Sequence, residues 1–160
     1  MGERPWLKHY DPGAPNNIDY PAVPPFYFLE ESARKDPDRP CTLFKGATIT
    51  YAEVDALTDR LAAGLAELGV KKSTPVGIFM VNIPQFLIAF YAILKAGGVV
   101  VAFNPLYKSR EIEHQLNDSS LEIMIAMSMF YRIIKQVQPK TVLKKLMVTN
   151  IGSPPITMEC

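Results

Sequence analysis

The chain has 160 residues, of which 48% are hydrophobic and 21% are charged. This length fits one domain or a large part of one, and the hydrophobic content is sufficient for a buried core. The formal net charge is +1 and the basic residues are scattered, so we expect no nucleic-acid partner. The two cysteines, Cys41 and Cys160, have no metal-binding or redox spacing, which favours a reducing compartment such as the cytoplasm.

Residues 1–25 are rich in proline and show little hydrophobic periodicity. They predict an extended N-terminal arm that lies over the domain, because proline interrupts regular elements. We expect Trp6 and Tyr10 to anchor this arm by burying aromatic surface. The first residues lack the apolar stretch of a secretory signal.

Regular patterns begin at Phe26. Residues 26–35 predict a short helix, and residues 41–45 and 48–50 predict a small hairpin that turns at Gly46. Thr50 and Glu53 have the spacing of a capping box, in which each residue's side chain bonds the other's backbone N–H. The helix that they open carries leucines at four positions on one face and a C-terminal glycine cap: Leu57, Leu61, Leu65, Leu68 and Gly69.

Strand and helix patterns alternate in the rest of the chain. Strands are predicted at 76–81, 99–103, 121–127 and 146–149, and helices at 86–96, 110–117 and 130–138. Asn82 is the predicted N-cap of the first of these helices, with Pro84 in its first turn. This alternation predicts a three-layer, doubly wound α/β fold with a mostly parallel sheet, left incomplete at its end.

The apolar stretch at residues 86–103 approaches the length of a membrane span. Lys95 lies near its middle, and Gly97 and Gly98 end the helical pattern before a β-branched run that favours a strand. A buried helix followed by a buried strand explains this pattern better, so we expect no transmembrane segment.

No catalytic, cofactor-binding or metal-binding residue can be identified. The chain has no glycine-rich phosphate loop after a strand and no nucleophile elbow, and His9 and His114 have no partner at metal-binding spacing. Ligands of parallel α/β sheets approach the carboxyl ends of the strands, which here carry Asn82, residues 104–107 and residues 127–128. The loop at 104–107 either borders a ligand channel or is a simple Asn-Pro turn.

Residues 104–119 resemble a segment of bacterial long-chain fatty-acid–CoA ligases, which belong to the adenylate-forming (AMP-binding) superfamily. Further blocks resemble the same family: residues 6–10 and 18–20 its N-terminal arm, residues 49–54 its first core motif, and residues 94–101 with Asn104 and Pro105 its second. The order and spacing of these blocks hold from about residue 4 to residue 151. The chain is thus similar to the N-terminal part of the adenylate-forming domain.

The resemblance implies a ligase that acts in two steps. ATP and a fatty acid form an acyl-adenylate with Mg2+, and CoA then displaces AMP to give the thioester. The family's phosphate loop, acyl tunnel and C-terminal lid lie downstream and match no residue here, so we expect the chain alone to be inactive. The chain departs from the family pattern at two places. Ala102 stands where the family usually has a proline or a similar residue before the Asn-Pro turn, and Lys108-Ser109 replaces a Thr-Pro pair that would cap the next helix.

The predicted organisation is an arm at 1–25, a partial AMP-binding-type subdomain at 26–150 and an irregular tail at 151–160. We interpret the tail as an ordinary disordered terminus or as a truncation or frameshift scar. Two other functions stay open: a free-standing, non-catalytic α/β binding module, and a flavodoxin-like nucleotide binder that lacks a phosphate loop. An unfinished sheet exposes an apolar edge, which predicts self-association. The expected location is the cytoplasm, or the periphery of the inner membrane.

Overall fold

The computed structural model of the chain describes residues 4–151. These residues form a two-stranded antiparallel sheet and a four-stranded parallel sheet, flanked by five α-helices. The strands are β1 (Pro40–Phe44), β2 (Ala47–Thr50), β3 (Pro75–Phe79), β4 (Val99–Ala102), β5 (Ile123–Met127) and β6 (Lys145–Thr149). The helices are α1 (Phe26–Lys35), α2 (Tyr51–Glu67), α3 (Pro84–Lys95), α4 (Ser109–Asp118) and α5 (Tyr131–Val137).

The parallel sheet has the strand order β4-β3-β5-β6. The connection from β3 through α3 to β4 moves toward one side of the sheet, whereas the connections from β4 to β5 and from β5 to β6 move toward the other side. Because these crossovers are right-handed, α3 lies on one face of the sheet and α4 and α5 lie on the other. The helix contacts agree, because α2 packs against α1 and α3 while α4 packs against α5. The predicted three-layer α/β fold is confirmed.

The core lies around the two central strands. All five residues of β5 and four of the five residues of β3 are buried, which explains their continuous apolar runs. Helix α3 has no exposed residue along its length, as its nearly all-round apolar sequence predicts.

The predicted capping box at the start of α2 is confirmed. The Glu53 N–H donates to Thr50 Oγ1 at 3.3 Å, and the Thr50 N–H donates to Glu53 Oε2 at 2.8 Å. This hydrogen bond from Thr50 lowers the pKa of the Glu53 carboxyl. At the far end of α2, Gly69 has a φ of 94°, the left-handed conformation expected of a glycine cap.

The predicted N-cap at Asn82 is wrong. Ile83 occupies the N-cap position of α3 and no side chain caps the helix. Ile83 is buried and extended, and Pro84 follows it with its φ already restricted to helical values, so burial and the proline set the helix start. At α4, Lys108 is the N-cap without a side-chain cap, as its departure from the family pattern predicts.

The predicted anchoring of the N-terminal arm by aromatic side chains is also wrong. A short 3-10 helix covers Pro5–His9 and buries no residue. Trp6 is 55% exposed and Tyr10 is 46% exposed. The side-chain contact of this region joins Arg4 to Asn17 within the arm itself, at 2.7 Å. Of the predicted tail, only residue 151 belongs to the described residues, and 152–160 lie outside them.

Candidate functional site

The carboxyl ends of the four parallel strands form the candidate site, which we call the carboxyl edge. It consists of the loops that follow β3, β4, β5 and β6, at residues 80–83, 103–108, 128–130 and 150–151. The connections after β3 and β5 leave toward opposite faces of the sheet. Neighbouring strands with this property form the switch point where ligands of open α/β sheets bind.

Aromatic side chains fill the switch point in the described part of the chain. Phe79 ends β3 and stacks on Phe130, with ring centroids 4.1 Å apart and ring planes 12° apart. Phe103 also contacts Phe79, with ring centroids 5.8 Å apart. All three side chains are buried. Among the described residues, the crevice between β3 and β5 is therefore lined by packed aromatic side chains.

A polar group joins the start of α3 to two of the loops at this edge. Gln85, in the first turn of α3, donates from Nε2 to the carbonyl oxygen of Asn150 at 3.2 Å. The Asn150 side chain in turn accepts a hydrogen bond from the Ser128 hydroxyl. The start of α3 is thus tied to the loops after β5 and β6.

Two buried polar atoms beside this group have no partner among the described residues. They are Gln85 Oε1 and Thr149 Oγ1, in side chains that are almost fully buried. Buried polar atoms are normally satisfied by protein or ordered water, so this part of the edge is suited to hydrogen bonding. Sequence reasoning missed Gln85 and Asn150. The available signal was a glutamine in the first turn of a mostly apolar helix.

The residues that the sequence placed at this edge make mainly local contacts. Asn104 Oδ1 accepts from the Leu106 N–H at 3.0 Å, and the Asn104 carbonyl oxygen accepts from the Tyr107 N–H at 2.9 Å. These bonds define a tight turn, so the turn interpretation of residues 104–107 accounts for their contacts. Asn82 lies outside the Gln85–Asn150–Ser128 group and makes no side-chain hydrogen bond to it.

Next to the carboxyl edge, the β1–β2 hairpin and the start of α3 border an open groove of about 390 Å³. Its lining is mostly apolar, and it includes Leu43, Phe86 and Leu87. A second groove of about 310 Å³ shares Leu87 and contains Cys41. Burial raises the pKa of the Cys41 thiol, which keeps it in the unreactive protonated form.

The described residues contain no cluster of three or more His, Cys, Asp or Glu side chains that could hold a metal ion. His9 and His114 are both exposed and lie in separate parts of the fold. Among residues 4–151, no helix has the length and apolar character needed to cross a membrane.

Comparisons with known proteins identify the family. A family model described as AMP-binding enzyme matches residues 29–156. A long-chain-fatty-acid–CoA ligase of Bacillus subtilis is 30% identical over 153 residues, which cover 94% of this chain and 27% of the ligase. A plipastatin synthase of the same organism is 37% identical over 106 residues, or 66% of this chain and 4% of the synthase.

The fold comparison agrees. The crystal structure of a long-chain-fatty-acid–CoA ligase from Archaeoglobus fulgidus superposes with a TM-score of 0.78 at 28% identity, over 88% of this chain and 30% of that one. The chain therefore spans about a quarter to a third of the length of these ligases. The resemblance noted from the sequence is confirmed, and the chain belongs to the AMP-binding enzyme family.

Proposed function

We propose that this chain is the N-terminal part of an acyl-CoA synthetase that activates long-chain fatty acids. The whole enzyme uses ATP to form an acyl-adenylate and transfers the acyl group to CoA. The observation that carries this proposal is the length of the match: similarity to fatty-acid–CoA ligases extends over 94% of the chain, whereas the match to the plipastatin synthase extends over 66%.

The described residues do not fit the proposed cofactors by themselves. ATP needs a phosphate-binding loop and Mg2+ needs grouped oxygen ligands, and residues 4–151 supply neither a glycine-rich phosphate loop nor a metal-ligand cluster. The switch point is filled by Phe79, Phe103 and Phe130. Within the whole enzyme, the role we assign to this chain is structural support of a catalytic centre that other residues supply.

A chimera tests the proposal. Residues 4–149 of this chain would replace the matching region of the Bacillus subtilis ligase, and ATP–pyrophosphate exchange would be measured with palmitate. We expect exchange that depends on palmitate, while the 160-residue chain alone gives none. The unmodified ligase and the chimera without palmitate are the controls. A chimera that folds yet gives no exchange with palmitate would refute the assignment of this chain to a fatty-acid–CoA ligase.

A free-standing, non-catalytic α/β binding module is the alternative function. The absence of an identifiable catalytic group in the described residues favours it for the isolated chain. The two functions differ in one measurable respect, because only the ligase part restores exchange in the chimera. The three-part organisation at 1–25, 26–150 and 151–160 also remains a proposal, which limited proteolysis tests through cleavage near residues 25 and 151.

We further propose that the isolated chain associates with itself through an open edge of its parallel sheet. Unpaired backbone groups at a sheet edge are ready to bind another strand. Sedimentation velocity over a range of concentrations tests this, and a monomer at every concentration would contradict it. A cytoplasmic location is also proposed, with attachment to the inner membrane as the alternative, and cell fractionation separates the two.

A further inference from the structure

The N-terminal arm carries several large apolar side chains on its outside. Every residue from 4 to 22 is exposed except Leu7, which is half-buried. Within this segment, Trp6 is 55% exposed, Ile18 is 62% exposed and Tyr20 is 80% exposed. Single exposed apolar residues are ordinary on protein surfaces, but several of them in one short segment indicate a binding surface.

A side-chain contact holds together the two segments of the arm that carry Trp6 and Ile18. Arg4 Nη1 donates to Asn17 Oδ1 at 2.7 Å, which closes residues 4–17 into a loop. Trp6 is two positions from Arg4, and Ile18 is next to Asn17. The loop therefore brings both apolar segments to the same part of the arm.

The outer sides of the short helix Pro5–His9 carry an aromatic ring and basic groups. In a 3-10 helix, residues three positions apart lie on the same side. Leu7 is half-buried and identifies the inner side of this helix. Trp6 and His9 therefore form one outer side, and Lys8 lies on the other.

The formal charge of the arm is concentrated at this helix. Residues 4–10 contain the basic residues Arg4 and Lys8 and no acidic residue. The acidic residues between positions 4 and 25 are Asp11 and Asp19, and both follow the helix in the sequence. The exposed ring of Trp6 is thus surrounded in the sequence by positive charge alone.

We propose that the outer side of this helix binds a membrane surface that contains anionic lipids. An indole ring prefers the boundary between headgroups and acyl chains, where its apolar body leaves water and its N–H stays hydrated. Basic side chains near an anionic leaflet are attracted to its lipid phosphates. Trp6 supplies the ring, and Arg4 and Lys8 supply the charges, so charge complementarity selects a lipid surface as the occupant.

The expected binding is weak and reversible. One aromatic ring and two basic groups provide much less binding energy than a helix that spans the bilayer. Such binding is compatible with a cytoplasmic location, and it specifies the surface for the membrane attachment named above as the alternative. It does not depend on the ligase assignment.

The fluorescence of Trp6 tests the proposal directly, because the chain contains one tryptophan. The 160-residue chain would be titrated with vesicles of phosphatidylcholine alone, or of phosphatidylcholine mixed with phosphatidylglycerol. We expect the Trp6 emission to shift to shorter wavelength with the mixed vesicles, because the indole ring leaves water. With the neutral vesicles we expect no shift.

Matched variants locate the binding surface in co-sedimentation with the mixed vesicles. Lys8→Gln should weaken binding about fivefold, the factor that one basic residue contributes near an anionic surface. Lys144→Gln removes the same charge from a side chain outside the arm that is 65% exposed, and it should change binding by less than about twofold. Trp6→Ala should weaken binding at least as much as Lys8→Gln. Its control is Met129→Ala, at a side chain outside the arm that is 66% exposed.

The outcomes decide the proposal. An unchanged Trp6 emission with the mixed vesicles would overturn it and leave a protein surface as the partner of the arm. Equal losses for the arm variants and their controls would overturn it as well, because binding would then not depend on the arm. Circular dichroism of the arm variants should match wild type, since the helix buries no residue, and if it does not, the emission of the unmodified chain decides.

The vesicle experiment is independent of the chimera experiment. ATP–pyrophosphate exchange by the chimera is measured without vesicles, and the vesicle titration uses the chain without a catalytic centre. A failure of the lipid-binding proposal and a failure of the ligase assignment are therefore distinguishable.

Discussion

Lys95 joins three helices through one ammonium group, and its removal should weaken the fold measurably. Its Nζ lies 2.6 Å from Asp59, 2.7 Å from Asp55 and 3.1 Å from Glu30, so α3 is linked to both α2 and α1. The Lys95 side chain is only 8% exposed. Burial by itself would lower the pKa of Lys95, but the hydrogen bonds that its ammonium group donates to Asp55, Asp59 and Glu30 outweigh it and hold the pKa above its ordinary value.

The exposure of the partners sets the expected magnitude. Breaking a fully buried pair costs about 3–5 kcal/mol, and breaking an exposed pair costs less than about 1 kcal/mol. The carboxylates of Asp55, Glu30 and Asp59 are 24%, 45% and 61% exposed, so water can partly replace the ammonium group. We therefore expect Lys95→Met, which keeps the aliphatic stem, to lower the free energy of unfolding by about 2 kcal/mol.

A matched control separates burial from charge. Lys144 contacts Glu122 at 2.6 Å, a distance as short as the Lys95–Asp59 contact, but its side chain is 65% exposed. Lys144→Met should therefore cost less than about 0.5 kcal/mol. Urea unfolding should be followed by circular dichroism, because Trp6 is exposed in the arm and its fluorescence reports little on the core.

The pH dependence has a defined sign. Because the folded-state pKa of Lys95 is raised, its contribution is complete below the ordinary value of 10.5 and is lost as the pH rises through the folded-state value. The difference between wild type and Lys95→Met should stay constant from about pH 7 to about pH 9. If Lys95→Met costs no more than Lys144→Met, the network does not stabilise the fold and the reasoning fails.

Three further predictions concern helix and strand ends. Gly98→Ala should lower the free energy of unfolding in urea by about 1–3 kcal/mol, because a Cβ at this position would lie 2.9 Å from the Ile93 side chain and 3.1 Å from a backbone oxygen. Unchanged stability would contradict this tight contact. Lys108→Ser should raise the free energy of unfolding by about 0.5–1 kcal/mol, because the serine hydroxyl can cap the N-terminus of α4, which has no side-chain cap from its N-cap residue. A loss of stability would show that a hydroxyl at position 108 does not cap this helix. Glu53→Gln should destabilise α2 at about pH 7, and its difference from wild type should shrink as the pH falls from 4.5 through the folded-state pKa, because a lowered carboxyl pKa contributes stability that is lost in this range. A difference that does not change with pH would exclude a role for the carboxylate charge.

Local signals made most of the fold predictable from the sequence. The Thr50–Glu53 box acts over three residues, and the glycine at position 69 follows directly on the helix that it ends. The central strands are recognisable because burial on both faces demands a continuous apolar run. The failed predictions depended on tertiary contacts instead. Asn82 is a suitable cap by residue type, but buried Ile83 and Pro84 set the start of α3.

The polar group at the carboxyl edge could not be predicted for the same reason. Gln85 and Asn150 are separated by 65 positions in the sequence, and their contact exists only because β6 lies two strands away from β3. No spacing rule relates such residues. The three phenylalanines of the switch point are equally hidden, since each looks like an ordinary core residue until the strand order brings Phe79 against Phe103 and Phe130.

The motifs that link this chain to its family act on structure rather than on chemistry. Thr50 and Glu53 cap a helix, Gly98 allows a close approach between a helix end and a strand, and Asn104 forms a turn. Selection on such positions preserves a fold, and one fold can serve enzymes that act on different acids. Similarity in this region therefore supports membership of the AMP-binding family strongly and the choice of acid much less.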